Sequence, residues 1–258
     1  MKVRSRSRSA RLAVWTTMFL CLVGVSAHAA EPCRTLSAGD LSYSVCEFDL
    51  RAYALKLFWK SPSGEPYGGV AALAEALTRA HQSPVFAMNA GMYQADDSPV
   101  GLYIEDGRVL HGANVADGPG NFHLKPNGVF FVRGTEAGIL ETTAYRRSHV
   151  KPDLATQSGP MLVIGGRLHP KFTPTSDSRK IRNGVGVAGK HVVVFAISSE
   201  PVTFTQFAEL FRDTLDCPNA LFLDGSISSL YAPSLQRADS LWPAGPIVAA
   251  FPRRGSQN

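Results

Sequence analysis

Three observations predict an α+β domain built on a mixed, mainly antiparallel sheet with few helices. Short β-branched and aromatic runs, bounded by Gly, Pro, Asn and Asp, recur from Leu41 to Phe251. Only two stretches show the i, i+3, i+4, i+7 apolar spacing of an amphipathic helix. Strands and helices do not alternate regularly, as a doubly wound parallel sheet would require. The 258 residues fit one domain, and no linker separates two cores.

In order, Leu41–Asp49 and Ala52–Lys60 alternate as strands across a short turn. Gly68-Gly69 opens a helix over Val70–His81, with Val70, Leu73, Ala74 and Leu77 on one face. Val85–Met88 is a short strand of buried type. Val100–Glu105 and Arg108–His111 flank Asp106-Gly107, a strong hairpin signal. A glycine-rich polar loop (112–126) leads to strands Val129–Arg133 and Gly138–Thr142. Ala155–Pro160 introduces the strand Met161–Ile164, and a polar loop spans 173–183. Val185–Ala188 and His191–Ile197 are strands. Phe204–Leu215 is the clearest helix, with Thr203 and Gln206 at capping-box spacing. Ala220–Leu223 ends at Asp224, and Ile247–Phe251 closes the sheet.

Composition excludes several classes. Hydrophobic residues make up 45% and charged residues 18%, a balance that disordered chains lack. The net charge of +5 belongs to the first 30 residues, which hold five cations and no acid; the rest balances at 21 against 21. A basic surface for nucleic acid is therefore not expected. Those 30 residues comprise a basic segment, a 14-residue mostly apolar run (Leu12–Val25) and the small residues of Ser26–Ala30. The run is shorter than the roughly 20 residues that span a bilayer. The expectation is a cleavable secretory signal over 1–30, a domain over 31–258 with no membrane span, and a periplasmic or secreted protein. Export would permit a disulfide among Cys33, Cys46 and Cys217. Cys33–Cys46 would tie the N-terminal segment to the first strand, and Cys46–Cys217 would close a longer loop. There is no Cys-x-x-Cys and no close pairing of histidines, so no zinc site or other cofactor is expected.

Four segments share one design, in which a short strand ends abruptly in polar residues and glycine. They are Asn89-Ala90-Gly91-Met92, Gln157-Ser158-Gly159-Pro160, Arg182-Asn183-Gly184-Val185-Gly186 and Asp224-Gly225-Ser226-Ile227-Ser228-Ser229. Strand ends are rigid, and glycines let a ligand approach the backbone, so such junctions suit binding sites. Each by itself also fits an ordinary turn. Spacing alone does not bring the four together.

In the same order, these segments resemble the pattern of the phosphodiester glycosidase family. That pattern runs Asn-Ala-Gly-Met-Phe, Gln-Ser-Gly-Pro, an Arg before a glycine-containing strand, and Leu-Asp-Gly-Gly-Gly-Ser-Ser. The resemblance covers roughly residues 40–252 and implies hydrolysis of a sugar-1-phosphodiester to free sugar and a phosphate monoester. Phosphate is a good leaving group, so stabilising the oxocarbenium ion and the departing charge matters more than general-acid help. On this resemblance Asp224 is the carboxylate, acting as nucleophile or as base for water, and Arg182 grips the phosphate bidentately. Asn89 and Gln157 bind sugar hydroxyls or the phosphodiester, unless they satisfy buried loop backbone instead. Ser158 and Ser229 add donors, and Gly91, Gly159 and Gly225 let substrate approach. The partner would be a small sugar-phosphodiester or a cell-envelope glycan.

Glu105, at a strand end, is a candidate second carboxylate. Asp96, Asp97, His123 and Lys125 are weaker candidates for the pocket mouth. The sequence departs from the family at Tyr93, where Phe is usual, and at Ser226-Ile227, which replace two glycines. The second change keeps open a non-catalytic sugar-phosphate-binding protein. A metal-dependent phosphodiesterase cutting the P–O bond is a further alternative, although no His/Asp cluster supports it.

Overall fold

The computed structural model describes residues 1, 31–225, 228–240 and 245–253. The expected leader, apart from Met1, and the Ser226-Ile227 pair lie outside the described residues. Strands β1 (Cys33–Ala38), β2 (Leu41–Asp49) and β3 (Tyr53–Phe58) come first, followed by helix α1 (Val70–Arg79) and β4 (Phe86–Asn89). Next are β5 (Tyr103–Glu105), β6 (Arg108–His111), β7 (Gly128–Arg133), β8 (Glu136–Glu141) and helix α2 (Thr142–Ser148). The middle of the chain gives β9 (Leu154–Ser158), β10 (Met161–Ile164), β11 (Arg167–Leu168), β12 (Asn183–Ala188) and β13 (Val192–Ser198). Helix α3 (Phe204–Glu209) precedes β14 (Asn219–Asp224), β15 (Leu230–Ala232), β16 (Arg237–Ala238) and β17 (Ile247–Pro252).

The strands form three sheets: β1-β2-β13-β12-β14-β10-β11, β16-β15-β4-β17-β3 and β6-β5-β9-β7-β8. All pairings among the described residues are antiparallel. The α+β expectation with a mainly antiparallel sheet holds. Residues Glu31–Asn258 form one compact unit.

The period-2 pattern explains how the sheets assemble. One face of each turns into a shared core containing Phe48, Phe86, Met88, Phe130, Phe195 and Leu221. The alternate residues face outward, and each sheet is backed there by one helix. Phe207 and Phe211 pack on Val45, Val194 and Phe222 of the first sheet. Val70, Leu73 and Leu77 of α1 pack on Ala87, Ile247 and Ala249 of the second. Tyr145 of α2 packs on Ile104, Val129 and Ala155 of the third. Burying each Leu or Val of α1 contributes about 1.5–3 kcal/mol, so the helix is held by tertiary packing more than by intrinsic propensity.

Several expected elements change. Helix α1 stops at Arg79, two residues early, as His81 turns left-handed at φ 59°. The expected helix over 204–215 divides into α3 and a π turn over Leu210–Thr214, in which Leu215 N–H donates to Leu210 O at 3.0 Å. The capping box forms, with Thr203 and Gln206 each accepting from the other's backbone N–H. Helix α2 was not expected; the Glu141 carboxylate caps it by accepting from Ala144 N at 2.9 Å. Strand β1 was also unexpected, because it is a largely exposed edge without a clear alternation. It lies in register with β2, and Cys33 faces Cys46 and is joined to it by the disulfide. Cys217 is free and buried, its thiol pushed up to about 12 chiefly by that burial.

Candidate functional site

The four junctions meet, and they come from all three sheets. Asn183 and Asp224 are ladder partners where β12 and β14 end in the first sheet. Asn89 ends β4 of the second sheet, and Asn183 Nδ2 donates to its Oδ1 at 2.7 Å. Ser229 N donates to the same oxygen at 3.0 Å. Ser158, ending β9 of the third sheet, donates its hydroxyl to Leu223 O at 3.0 Å. The Asn183–Asn89 and Ser158–Leu223 bonds cross between strands that do not pair with one another, so they lock the sheet ends around Asp224. Asn89 Nδ2 and Asn183 Oδ1 are buried and have no partner among the described residues, leaving one donor and one acceptor in the cluster.

Arg182, just before β12, is 1% exposed. Its Nε donates to Val202 O and its Nη2 to Ser178 O, both at 2.9 Å. The guanidinium lies 3.7 Å above the Phe204 ring centroid and 5.5 Å from that of Phe222. No carboxylate within ion-pair distance is found for it among the described residues. Burial lowers its pKa to about 10, so it stays charged at neutral pH. The expected bidentate grip is corrected: two of the three nitrogens are taken by backbone carbonyls, and only Nη1 has no partner among the described residues. That nitrogen faces Gly225, where an added Cβ would sit 3.5 Å from it and 2.8 Å from Phe222 Cζ.

Asp224 is 7% exposed, and its Oδ1 accepts from Gly225 N at 2.6 Å. It lies in the wall of an open cavity of about 470 Å³ with Met92, Tyr93, Asn121, Phe122 and His123. The Tyr93 hydroxyl is pushed up to about 12, first by burial and then by the charges of Asp224 and Asp97. The family's Phe is thus replaced here by a phenol that stays protonated beside the carboxylate. His123 lines the cavity, and its Nδ1 donates to Ala116 O at 3.1 Å.

Other expected ligands serve the scaffold. Gln157 Oε1 accepts from Leu102 N and Asn114 N at 3.0 and 2.9 Å, and its Nε2 donates to Asn114 O at 2.6 Å and Thr142 Oγ1 at 3.2 Å. Its amide is fully used on Asn114 of the glycine-rich loop, Leu102 and Thr142, so substrate bonding by Gln157 is corrected to scaffold satisfaction. Ser158 is committed to Leu223, and Ser229 contributes its main-chain N–H to Asn89. Gly91 and Gly159 are there for packing: a Cβ would stand 2.8 Å from Thr156 Oγ1 at the first and 2.6 Å from Asn127 Cβ at the second.

Glu105 does not join the site. Tyr103 faces Thr156 and Ile104 faces Ala155, so Glu105 lies beside Leu154, four residues before Ser158. At about 3.3 Å per residue, that is roughly 13 Å away. Burial raises its pKa, against the opposing effect of the bond donated by Tyr103 OH at 3.0 Å. Lys125 is drawn away by Asp117 Oδ1 at 2.6 Å, and Asp96 caps a turn at Ser98. Sequence reading missed Asn183, hidden beside Arg182 in a quoted segment, although a polar residue at the start of a buried strand was a usable signal. It also missed His169, Phe172 and Phe204, which nothing in spacing connects to Arg182. Among the described residues, no cluster of three or more His, Cys, Asp or Glu is placed to hold a metal ion.

The chain is 36% identical over 212 residues to the uncharacterized protein YigE of Escherichia coli (strain K12), covering 82% of each chain. Among solved structures, it is similar to the zebrafish N-acetylglucosamine-1-phosphodiester alpha-N-acetylglucosaminidase catalytic domain, auto-inhibited by its pro-peptide. That match has a TM-score of 0.58 at 16% identity and covers 86% of this chain and 82% of that one. A hypothetical protein from Synechocystis matches with a TM-score of 0.56 at 13% identity, over 86% of this chain and 61% of that one. The two structural likenesses show a shared fold. A family model described as phosphodiester glycosidase matches residues 82–244, which include all four junctions, and this chain belongs to the phosphodiester glycosidase family.

Proposed function

We propose that this protein is an exported hydrolase that cleaves the glycosidic C–O bond of a sugar-1-phosphodiester, releasing free sugar and a phosphate monoester. Family membership supports the reaction class. The observation that carries the site assignment is a buried guanidinium, with no carboxylate in ion-pair reach among the described residues, whose Nη1 faces Gly225 next to the Asp224 carboxylate. One cation and one carboxylate suit a reaction that develops negative charge on a departing phosphate and positive charge on the sugar. Asp224 would stabilise the oxocarbenium ion as nucleophile or activate the attacking water as base. Arg182 would act on the phosphate from a low-dielectric setting, where its charge is weakly screened. Tyr93 and His123 in the cavity wall are placed to meet the sugar or its aglycone. The substrate is a small sugar-phosphodiester or an envelope glycan, N-acetylglucosamine being the first sugar to try. Export rests on the leader read in residues 1–30, and the expected location is the periplasm or the exterior.

The test is hydrolysis of a panel of sugar-1-phosphodiesters in water enriched in heavy oxygen, comparing wild type with Asp224→Ala. Label on the sugar that disappears in the variant is the expected result. Label on the phosphate would transfer the protein to the phosphodiesterases. Binding without turnover would make it a sugar-phosphate-binding protein.

A further inference from the structure

A buried cation can be held by an acid, which neutralises it, or by neutral groups, which leave its charge for a ligand. Arg182 is held the second way. Among the described residues, two carbonyls and two aromatic faces hold it, and together they carry no formal charge. With the guanidinium 3.7 Å over one face of Phe204, only the opposite face is left for Phe172, whose ring lies 5.0 Å away at an interplanar angle of 11°. His169 stacks on Phe172 in turn, at 4.7 Å and 26°. The column is therefore continuous from His169 through Phe172 and Phe204 to the guanidinium.

The column is anchored along its length. His169 N donates to Leu162 O on β10 at 3.1 Å, and Phe172 N donates to His169 O at 3.1 Å. Lys171 N donates to His169 Nδ1 at 3.2 Å, and Thr205 Oγ1 donates to Thr173 O at 3.1 Å, tying the loop to the start of α3. Phe172 and Phe204 are only half-buried, so the column is not a core that happens to contain an arginine. Each carbonyl fixes one edge of the guanidinium, while the ring fixes its plane. Together they determine where Nη1 points.

We propose that the His169–Phe172–Phe204 column is a positioning device for Arg182. It keeps the guanidinium seated on the Phe204 ring with Nη1 turned toward Gly225, and so sets the affinity of the Asp224 site for an anionic substrate group. The affinity part of this inference rests on the phosphodiester reading above; the holding part does not.

The experiment uses the full-length protein labelled with nitrogen-15 arginine, and the Arg182 resonance is assigned by its absence in Arg182→Lys. In wild type, the Arg182 Nε–H signal is expected upfield, under the Phe204 ring current, and slow to exchange. Phe172→Leu loses both signatures and raises KM for N-acetylglucosamine 1-(methyl phosphate) about tenfold, with kcat within about threefold. Phe172→Tyr restores the stack and stays within about twofold of wild type. His169→Leu, at the far end, gives a smaller change in the same direction and guards against misfolding of the first variant. An unchanged resonance and KM in Phe172→Leu would overturn the proposal. A fall in kcat at constant KM would overturn its affinity part. If wild type neither hydrolyses the diester nor shifts its Arg182 signal with inorganic phosphate, the phosphodiester reading and the affinity part fail together. The ring-current signature of the variants then decides the holding role alone.

Discussion

Asn183 Nδ2 donates to both oxygens of Asn89, at 2.7 Å to the side chain and 3.1 Å to the main chain, and so joins two sheets at the level of Asp224. Because Asn183 also faces Asp224 in the β12–β14 ladder, this amide pair positions the carboxylate relative to β4. A double-mutant cycle of Asn89→Ala and Asn183→Ala is expected to give a coupling energy of about 1–2 kcal/mol in urea denaturation. Additive single effects would show that the pair carries no joint stabilisation.

Replacing Asp224 with Asn keeps an acceptor for Gly225 N and removes the charge. The variant should fold with wild-type stability and lose turnover of a sugar-1-phosphodiester by about a thousandfold, with KM changed only a few-fold. Comparable turnover in the Asn variant would remove Asp224 from the chemistry.

Arg182→Met separates function from stability. Replacing a buried charge with an apolar side chain of similar size is often neutral or stabilising. Val202 O also accepts from Lys180 N at 3.1 Å, so that carbonyl stays satisfied. Unfolding free energy should stay within about 1–2 kcal/mol of wild type, while activity on anionic substrates falls by at least about a hundredfold. Severe destabilisation with activity retained in the folded fraction would mark Arg182 as structural.

Gln157→Ala should behave in the opposite way. It strips partners from Leu102 N, Asn114 N and Asn114 O beside the cavity. A loss of about 2–4 kcal/mol is expected, with amide exchange quickened first in the 112–126 loop. Uniformly quickened exchange would show that the amide does not act on the loop specifically.

His169 confers a defined acid sensitivity. Burial lowers its pKa from 6.5 to about 4, with Lys171 adding to the effect. The unfolded chain therefore takes up a proton near pH 6.5 that the folded chain accepts only near pH 4. The stability is fully present above pH 6.5, is lost progressively as pH falls toward about 4, and levels off below that, to a total of roughly 3 kcal/mol. His169→Phe keeps the stack and should flatten this part of the stability profile. An unchanged slope between pH 6.5 and 4 in that variant would assign the sensitivity to other groups.

Much of the local structure was legible in the chain. The alternation in β2 and the apolar runs of β13 and β14 predicted strands, and Thr203 with Gln206 marked the start of α3, because these signals are carried by neighbours in sequence. Asp106-Gly107 predicted the β5–β6 turn for the same reason: both residues adopt positive φ, at 49° and 73°. Strand β1 and helix α2 escaped. The first is ordered by pairing with β2 and by a disulfide to Cys46; the second is seven residues long and capped by Glu141, outside the Ser/Thr/Asp/Asn set that marks most helix starts.

The site divides along the same line. By itself the sequence determined four strand ends of matching chemistry and their order, and with them the family. It could not say which polar group at each end is already spent. Asn89 and Gln157 look equivalent on paper, yet the structure saturates the Gln157 amide with backbone groups and the Thr142 hydroxyl, whereas Asn89 Nδ2 has no partner among the described residues. Glu105 and Asp224 both end strands, yet Glu105 lies roughly 13 Å along its sheet from Ser158, the residue bonded to Leu223 beside Asp224. Arg182 reads as a free fork until its carbonyls and its aromatic column are seen. Hydrogen-bond satisfaction and burial depend on which strands cross and which faces meet, so tertiary structure alone decided which of these groups remain available for chemistry.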